Sequence, residues 1–425
     1  MRKYQQLLLL IISIVCIVTL LFYRHEYLKL RSVLSVLDFF GSAAISNSSC
    51  LIFSNNLTKD ITSKYQFSEP RSVWKTLNNH FVFSSVWEDH DDGGFIRTLV
   101  IGPKSAFYDY ECRVWFEVGD IIVSEQGLVK YELDARSLNN TRANKYFLKC
   151  FVQDKPSYGV PYGVLWYTSH SNNSVFSPMF RKPKSQLLET AVCVLPDYSG
   201  LAKTNIMEFI AFYNTIGVSD FIIYDSGIQH SVFPFLESAS GRNGIVSSVS
   251  VIQWNFPMIN PAIERLAIED DCLSRTLGKV KFVAIVSWDD YIIPKKRKLD
   301  QIVSPNNIVD LLHLSMKRRL CCTNLPDDKS TSSAWPLFLR KRQCVEDSNV
   351  DNMLYVNFKS YGSMNKNRIY EISEDLAVIN RYVLCDETLQ RRAKPTPVSD
   401  YYSRVNTHKL LTLWKSHLNT TSIFN

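Results

Sequence analysis

The chain has 425 residues, 46% hydrophobic and 21% charged, which excludes global disorder and leaves room for one large or two medium domains. Its formal net charge of +7 is a mild excess at this length. With no dense basic tract, zinc-finger spacing or RNA-binding signature, nucleic acid is not an expected partner.

Residues 1–6 form a short tail. Leu7 to Tyr23 is an almost wholly apolar run, at the short end of what spans a bilayer as a helix. Arg2 and Lys3 precede it, and Arg24, His25, Lys29 and Arg31 follow. A cleaved signal peptide is the alternative, but no small-x-small cleavage site occurs before Gly41-Ser42-Ala43-Ala44. The expectation is an uncleaved transmembrane anchor over 7–23, a single pass through a Golgi or other secretory-pathway membrane, and a lumenal remainder. Glycosylation sequons at Asn47, Asn56, Asn139, Asn172 and Asn419 agree with that placement. So do the ten cysteines, which an oxidising compartment would pair in part. Cys16 lies in the apolar run; connectivity among Cys50, Cys112, Cys150, Cys193, Cys272, Cys321, Cys322, Cys344 and Cys385 is not readable from spacing.

Residues 24–70 lack strong periodicity and read as a stem. From 71 to 185 short β-rich runs alternate with turns such as Asp91-Asp92-Gly93-Gly94 and Pro156-Ser157-Tyr158-Gly159, which predicts a small β-rich, sandwich-like domain. The pattern changes near 189. Thr190 to Leu195 is a compact apolar run, as a buried parallel strand is, Phe221 to Tyr224 is another buried strand, and Val249 to Trp254 and Val280 to Val286 are predicted as further strands. Between them, Ile206, Phe209, Ile210 and Tyr213 recur at helical spacing over 203–215, closed by Gly217, and a second helix is predicted from Pro261 to Leu277. Strands alternating with helices predict an α/β domain over 186–390 with a mostly parallel central sheet; 391–425 is a C-terminal extension. The run Lys295-Lys296-Arg297-Lys298 reads as a solvated loop, with contact to acidic phosphate or membrane as the alternative.

Ligands of such sheets bind beyond the carboxyl ends of the strands, so polar residues there carry weight. Asp225 ends one strand and Ser287-Trp288-Asp289-Asp290 ends another. Carboxylates in that position can hold Mn²⁺ or Mg²⁺ against a departing diphosphate; a solvated acidic turn is the plain alternative. In the second helix Ile263, Leu266, Leu273 and Leu277 define an apolar stripe that includes Asp270, so Asp270 or Asp271 is expected to be partnered or turned to the site. Arg275 is four residues beyond Asp271, a spacing that suits an ion pair bracing the helix or a contact to a donor phosphate. Cys272 reads as a packing or disulfide residue, and the scattered histidines form no zinc pattern.

Three stretches, in order, resemble glycosyltransferase family 92: Glu208 to Asn214 with Gly217 to Ser226, Ala267 to Arg275, and Phe282 to Pro294. The resemblance covers roughly 185–390. It implies a GT-A-like fold and inverting transfer of a hexose, galactose in the characterised members, from a UDP-sugar donor to a glycan or glycoprotein acceptor. The family's acidic motif, Asp-x-Asp-Glu and an aromatic, falls on Ser287, Trp288, Asp289, Asp290 and Tyr291. That alignment implies Asp289 as the metal ligand for Mn²⁺ or Mg²⁺ and Asp290, in place of the glutamate, as catalytic. It implies Asp225, Asp271, Arg275 and Ser287 on the donor side. Two departures stand out: Ser287 replaces the first aspartate, and the His-Tyr-Arg-like segment reads Asn380-Arg381-Tyr382. They keep a second reading open, a catalytically degenerate protein that binds glycans or serves structurally. Glu346, Asp347, Glu374, Asp375 and His313 are unranked candidates for the base an inverting transfer needs.

Overall fold

The computed structural model describes residues 73–90, 93–103, 110–118, 121–134, 143–152, 159–168, 171–179, 188–197, 202–227, 236, 248–276, 279–294, 313–329, 331, 335–356 and 369–395. The expected anchor over 7–23, the stem, and sequons Asn47, Asn56, Asn139 and Asn419 lie outside the described residues. The chain divides into two compact units, Met1–Phe67 and Ser68–Asn425. All described residues belong to the second.

That unit begins with strands β1 (Lys75–Leu77), β2 (His80–His90), β3 (Gly93–Gly102), β4 (Tyr110–Val118), β5 (Ile121–Leu133), β6 (Asn144–Phe151), β7 (Gly163–Thr168) and β8 (Ser171–Pro178). They form one antiparallel sheet in the order β1-β2-β3-β6-β5-β4-β7-β8. The expected sandwich is corrected here: the sheet curls until its ends meet and is nearly a barrel. Ser85 bridges Met179 across the seam, the Ser85 and Ser177 hydroxyls hydrogen-bond at 2.7 Å, and Lys75 Nζ donates to the Phe176 carbonyl at 2.9 Å. Alternation explains the interior. Tyr110, Cys112, Val114 and Phe116 of β4 point inward with Val164 and Trp166 of β7. Cys112 and Cys150 form a disulfide inside this sheet, and a Cβ at Gly127 would lie 2.3 Å from the Cys150 sulfur, so only glycine fits beside the bond.

The second half contains β9 (Leu188–Val194), α1 (Lys203–Thr215), β10 (Asp220–Asp225), β11 (Ser248–Gln253), α2 (Pro261–Thr276), β12 (Val280–Val286), β13 (Asp290–Pro294), β14 (His313–Cys322), α3 (Leu337–Arg340), β15 (Gln343–Val356), β16 (Ile369–Glu371), β17 (Ala377–Val383), α4 (Glu387–Arg392) and β18 (Lys394–Pro395). The main path of its sheet is β11-β10-β9-β12-β15-β14-β17-β13. Here the mostly parallel, GT-A-like expectation is overturned. Only β11, β10, β9 and β12 run as a parallel block; β15 joins β12 antiparallel, β14 joins β15 antiparallel, β17 joins β14 parallel, and β13 joins β17 antiparallel. With the antiparallel barrel in front of it, the molecule is mostly β. Among the described residues no helix is long and apolar enough to cross a membrane, so the expected single-pass secretory-membrane placement finds no support in them.

The two helices cover opposite faces of the parallel block, as a strand's period of two dictates. Val192, Val194, Phe221, Ile223, Ala284 and Val286 pack under α1. Ala191, Cys193, Ile222, Tyr224, Val283 and Ile285 pack under α2. Helix α1 ends where Gly217, at φ 98°, lets the Val218 amide donate to the Tyr213 carbonyl at 3.0 Å. Asn260 begins α2, its Oδ1 accepting from the Ile263 amide at 3.2 Å, with Pro261 at the first helical position.

Helix α2 is buried on both sides, since its far face meets the barrel. That face is polar, and each buried group has a partner. Lys145 of β6 pairs with Asp270 of α2 and Asp134. Arg97 of β3 pairs with Glu88 and donates to Ser274 Oγ at 2.8 Å, its guanidinium 4.6 Å from the Phe147 ring centroid. The disulfide Cys193–Cys272 ties α2 to β9. Cys321–Cys344 joins β14 to β15, and Cys322–Cys385 joins β14 to the segment after β17.

Candidate active site

From β9 the chain moves to one side, laying down β10 and then β11, and returns across to place β12 on the other side of β9. The winding therefore reverses between β9 and β12. The crevice beyond the carboxyl ends at such a point is where sheets of this kind bind ligands. The Leu195 amide continues the ladder to the Val286 carbonyl at 2.8 Å, and beyond it the strands part. Asp197 follows β9 on one lip, and Ser287 to Asp290 follows β12 on the other. Ser226, just past β10, donates its hydroxyl to the Asp197 carbonyl at 2.7 Å, tying a third strand end to the same rim.

The turn over 287–290 has a defined shape. Trp288 is buried, its ring 4.9 Å from Phe209 of α1. Asp290 is 0% exposed. Its Oδ1 accepts from Arg381 Nε at 2.6 Å, and its Oδ2 accepts from Arg381 Nη2 at 2.7 Å and from the Ser287 amide at 3.0 Å. The Asp290 amide donates to the Ser287 carbonyl at 3.0 Å, closing the turn. With the residues on either side turned inward, Asp289 alone presents an exposed carboxylate. Surrounding protein strips part of its hydration, Asp290 and Asp197 add negative charge, and Arg381 opposes them; the net result pushes Asp289 up to about 6.

The other predicted residues divide into two groups. Asp225, half-buried at the end of β10, accepts from the Gly227 amide at 2.8 Å, and Ser287 sits half-buried at the start of the acidic turn. These belong to the rim. Asp271 and Arg275 form the i,i+4 ion pair at 2.6 Å, inside the α2 seam. Asp271 also accepts from Ser84 Oγ of β2 at 2.5 Å and from the Tyr224 hydroxyl at 2.8 Å. The structure therefore brings Asp271 and Arg275 together in a hydrogen-bonded cluster of their own. Asn172 lies in β8.

Two residues at the rim escaped the sequence reading. Asp197 satisfied the same criterion as Asp225, a carboxylate just past an apolar strand. Arg381 was visible only as part of Asn380-Arg381-Tyr382, and nothing local to it indicates that β17 lies beside β13.

Among the described residues no group of three or more His, Cys, Asp or Glu side chains is arranged to hold a metal ion. A smaller set is enough for a cation that takes one or two carboxylates and completes its shell with substrate phosphates and water. Asp289 and Asp197 are near enough for their charges to interact; burial first, and then the charges of Asp290 and Asp197, raise the Asp289 pKa to about 6, and a cation there would relieve the repulsion.

The class that the segment from β9 to β13 supports, through its match to a family model, is a glycosyltransferase in general. The family model that matches is glycosyltransferase family 92, over residues 189–311, so the resemblance read in the sequence is borne out over β9 to β13. Among curated proteins, no relative matches the chain.

Proposed function

We propose that this protein transfers a hexose, galactose first among the candidates, from a UDP-sugar to a glycan acceptor with inversion at the sugar carbon. The observation that carries the reading is Asp289, exposed at the end of β12 and facing the electrostatic influence of Asp197 across the sheet's reversal point. In this account Asp289 and Asp197 would hold a divalent cation that meets the donor's diphosphate, and Asp225 and Ser287 line the same rim as donor contacts. A bound Mn²⁺ or Mg²⁺ would supply positive charge against the leaving diphosphate. Inside the turn, burial of Trp288 and Asp290 fixes the direction of the Asp289 carboxylate before the donor arrives, so little ordering entropy is lost on binding.

The test is a melting curve with UDP, UDP-galactose and Mn²⁺, followed by transfer of radiolabelled galactose to a panel of glycans. A ligand at a hundred times its Kd raises stability by about 2.7 kcal/mol, a shift that is easily measured. No shift with any combination would overturn the reading. The serine at the first acidic position favours a second one, a fold that retains binding without turnover. Ser287→Asp separates the two: activity gained from zero supports the degenerate protein, whereas activity already present in the natural sequence and lost in Asp289→Ala supports the enzyme.

A further inference from the structure

We infer that Asp290 and Arg381 are positioning residues of the transferase site: Arg381, acting through Asp290, sets the turn that presents Asp289 to the cation a donor diphosphate would require. This rests on the functional reading above and deepens it. The guanidinium comes from β17, remote in sequence from the acidic turn. Antiparallel pairing with β13 sets Arg381 directly opposite Asp290. Two charge-assisted hydrogen bonds, at 2.6 and 2.7 Å, then lock the carboxylate in one orientation. The same carboxylate reaches back to the Ser287 amide at 3.0 Å, so the clamp acts on the first residue of the turn as well as the last.

Three further contacts fix the backbone on either side. The Tyr382 amide donates to the Asp289 carbonyl at 2.9 Å. The buried Tyr213 hydroxyl of α1 donates to the Asp290 carbonyl at 2.8 Å and accepts from the Ile292 amide at 3.3 Å. Asp290 has both oxygens engaged and no exposed surface, which assigns it to support and leaves contact with that cation to its neighbour Asp289. The Arg381 side chain is 24% exposed, so it reaches from the buried carboxylate out to the rim. Partners one shell behind a metal or phosphate ligand typically change affinity by about 10- to 100-fold when altered.

The test uses the full chain carrying Arg381→Lys, which keeps a cation beside Asp290 but gives up the two-pronged geometry. Asp290→Asn is the companion variant. Three quantities are read: Mn²⁺ titrated calorimetrically in the presence of UDP, transfer kinetics, and peptide-level amide exchange over 286–292 and 380–384 against the core of β12. The expected result is faster exchange confined to the turn, Mn²⁺–UDP affinity weakened about tenfold, and kcat at saturating Mn²⁺ reduced less than about threefold. Unchanged Mn²⁺–UDP affinity in both variants would overturn the proposal. A fall in kcat at unchanged affinity would also overturn it, since Arg381 would then act on the reacting atoms. Should the natural protein bind no Mn²⁺–UDP, the functional reading fails separately. Amide exchange then judges the clamp alone: faster exchange at the turn supports it, and unchanged exchange overturns it.

Discussion

Asp271 and Asp289 are both carboxylates of the same half of the molecule, each influenced by an arginine, and the sequence reading gave both a place in the site. Their surroundings differ in kind. Asp271 is 2% exposed and receives hydrogen bonds from Ser84, Tyr224 and Arg275. Asp289 is exposed, acidic neighbours surround it, and Arg381 gives its short bonds to Asp290 instead. A carboxylate already met by three donors has little capacity left for a ligand. One held among like charges at an open rim has an unmet demand for positive charge. Charge at the right place in the sheet is thus a weaker signal of function than charge left uncompensated there.

The sealed side of this comparison is open to the strongest challenge. Lys145 is 0% exposed and lies between Asp134 and Asp270. Replacing it with methionine keeps the volume and leaves two buried carboxylates without their cation, a loss of about 3–5 kcal/mol for a broken buried pair. Urea unfolding should show a midpoint shift of that size with unchanged slope. A change under about 1 kcal/mol would mean that water reaches the seam, and the contrast with Asp289 would lose its footing.

Paired substitutions sharpen the contrast directly. Asp271→Asn is expected to lower stability by about 1–3 kcal/mol, because a buried hydrogen bond to a charged group is weakened. Asp289→Asn is expected to leave the melting temperature nearly unchanged and to weaken Mn²⁺–UDP binding by about tenfold or more. Differential scanning fluorimetry with and without ligand reads both effects in one experiment. The opposite pattern, a stable Asp271→Asn without ligand response and an unstable Asp289→Asn with full response, would invert the assignment.

How far this contrast was legible in the sequence depends on range. The segment from β9 to β12 could be read in advance because its central strands β9, β10 and β12 are mostly apolar and buried, and Ile206, Phe209, Ile210 and Tyr213 keep a helical period. Helix α1 spans Lys203–Thr215, as the spacing predicts, and α2 ends within a residue of its predicted end. The strands beyond were hidden. Lys317-Arg318-Arg319 in β14 and Glu346-Asp347 in β15 carry no apolar run to mark a strand; Arg318 pairs with Asp347 at 2.5 Å across the two, and two disulfides fasten β14. That missing half turned a mostly parallel expectation into a mixed sheet. Barrel closure through Ser85 and Met179 is equally non-local. At the site, Asp197 was within reach of the strand-end argument, whereas the Asp290–Arg381 pair depends on a register that no local pattern encodes.

Glu208 offers a smaller test between the two extremes, because it is buried like Asp271 yet poorly compensated like Asp289. It lies on α1, and its Oε1 accepts from the Phe338 amide at 3.1 Å at the start of α3. Burial raises its pKa to about 7, against partial opposition from the Leu337 and Phe338 amides and from Arg340. The unfolded chain releases this proton near the ordinary value of 4.5, so the folded state binds it more tightly. The associated stability is fully present below that value and is lost as pH rises through about 7. Glutamine keeps an oxygen for the Phe338 amide and carries no charge to bury. Glu208→Gln should therefore be more stable than the natural protein at pH 8 by on the order of 1 kcal/mol, with the gap closing as pH falls toward 5. Melting curves between pH 5 and pH 8 follow that gap. A difference constant across the range would mean that the carboxylate does not titrate there, and a less stable variant at pH 8 would mean that its charge is met by the α3 amides after all.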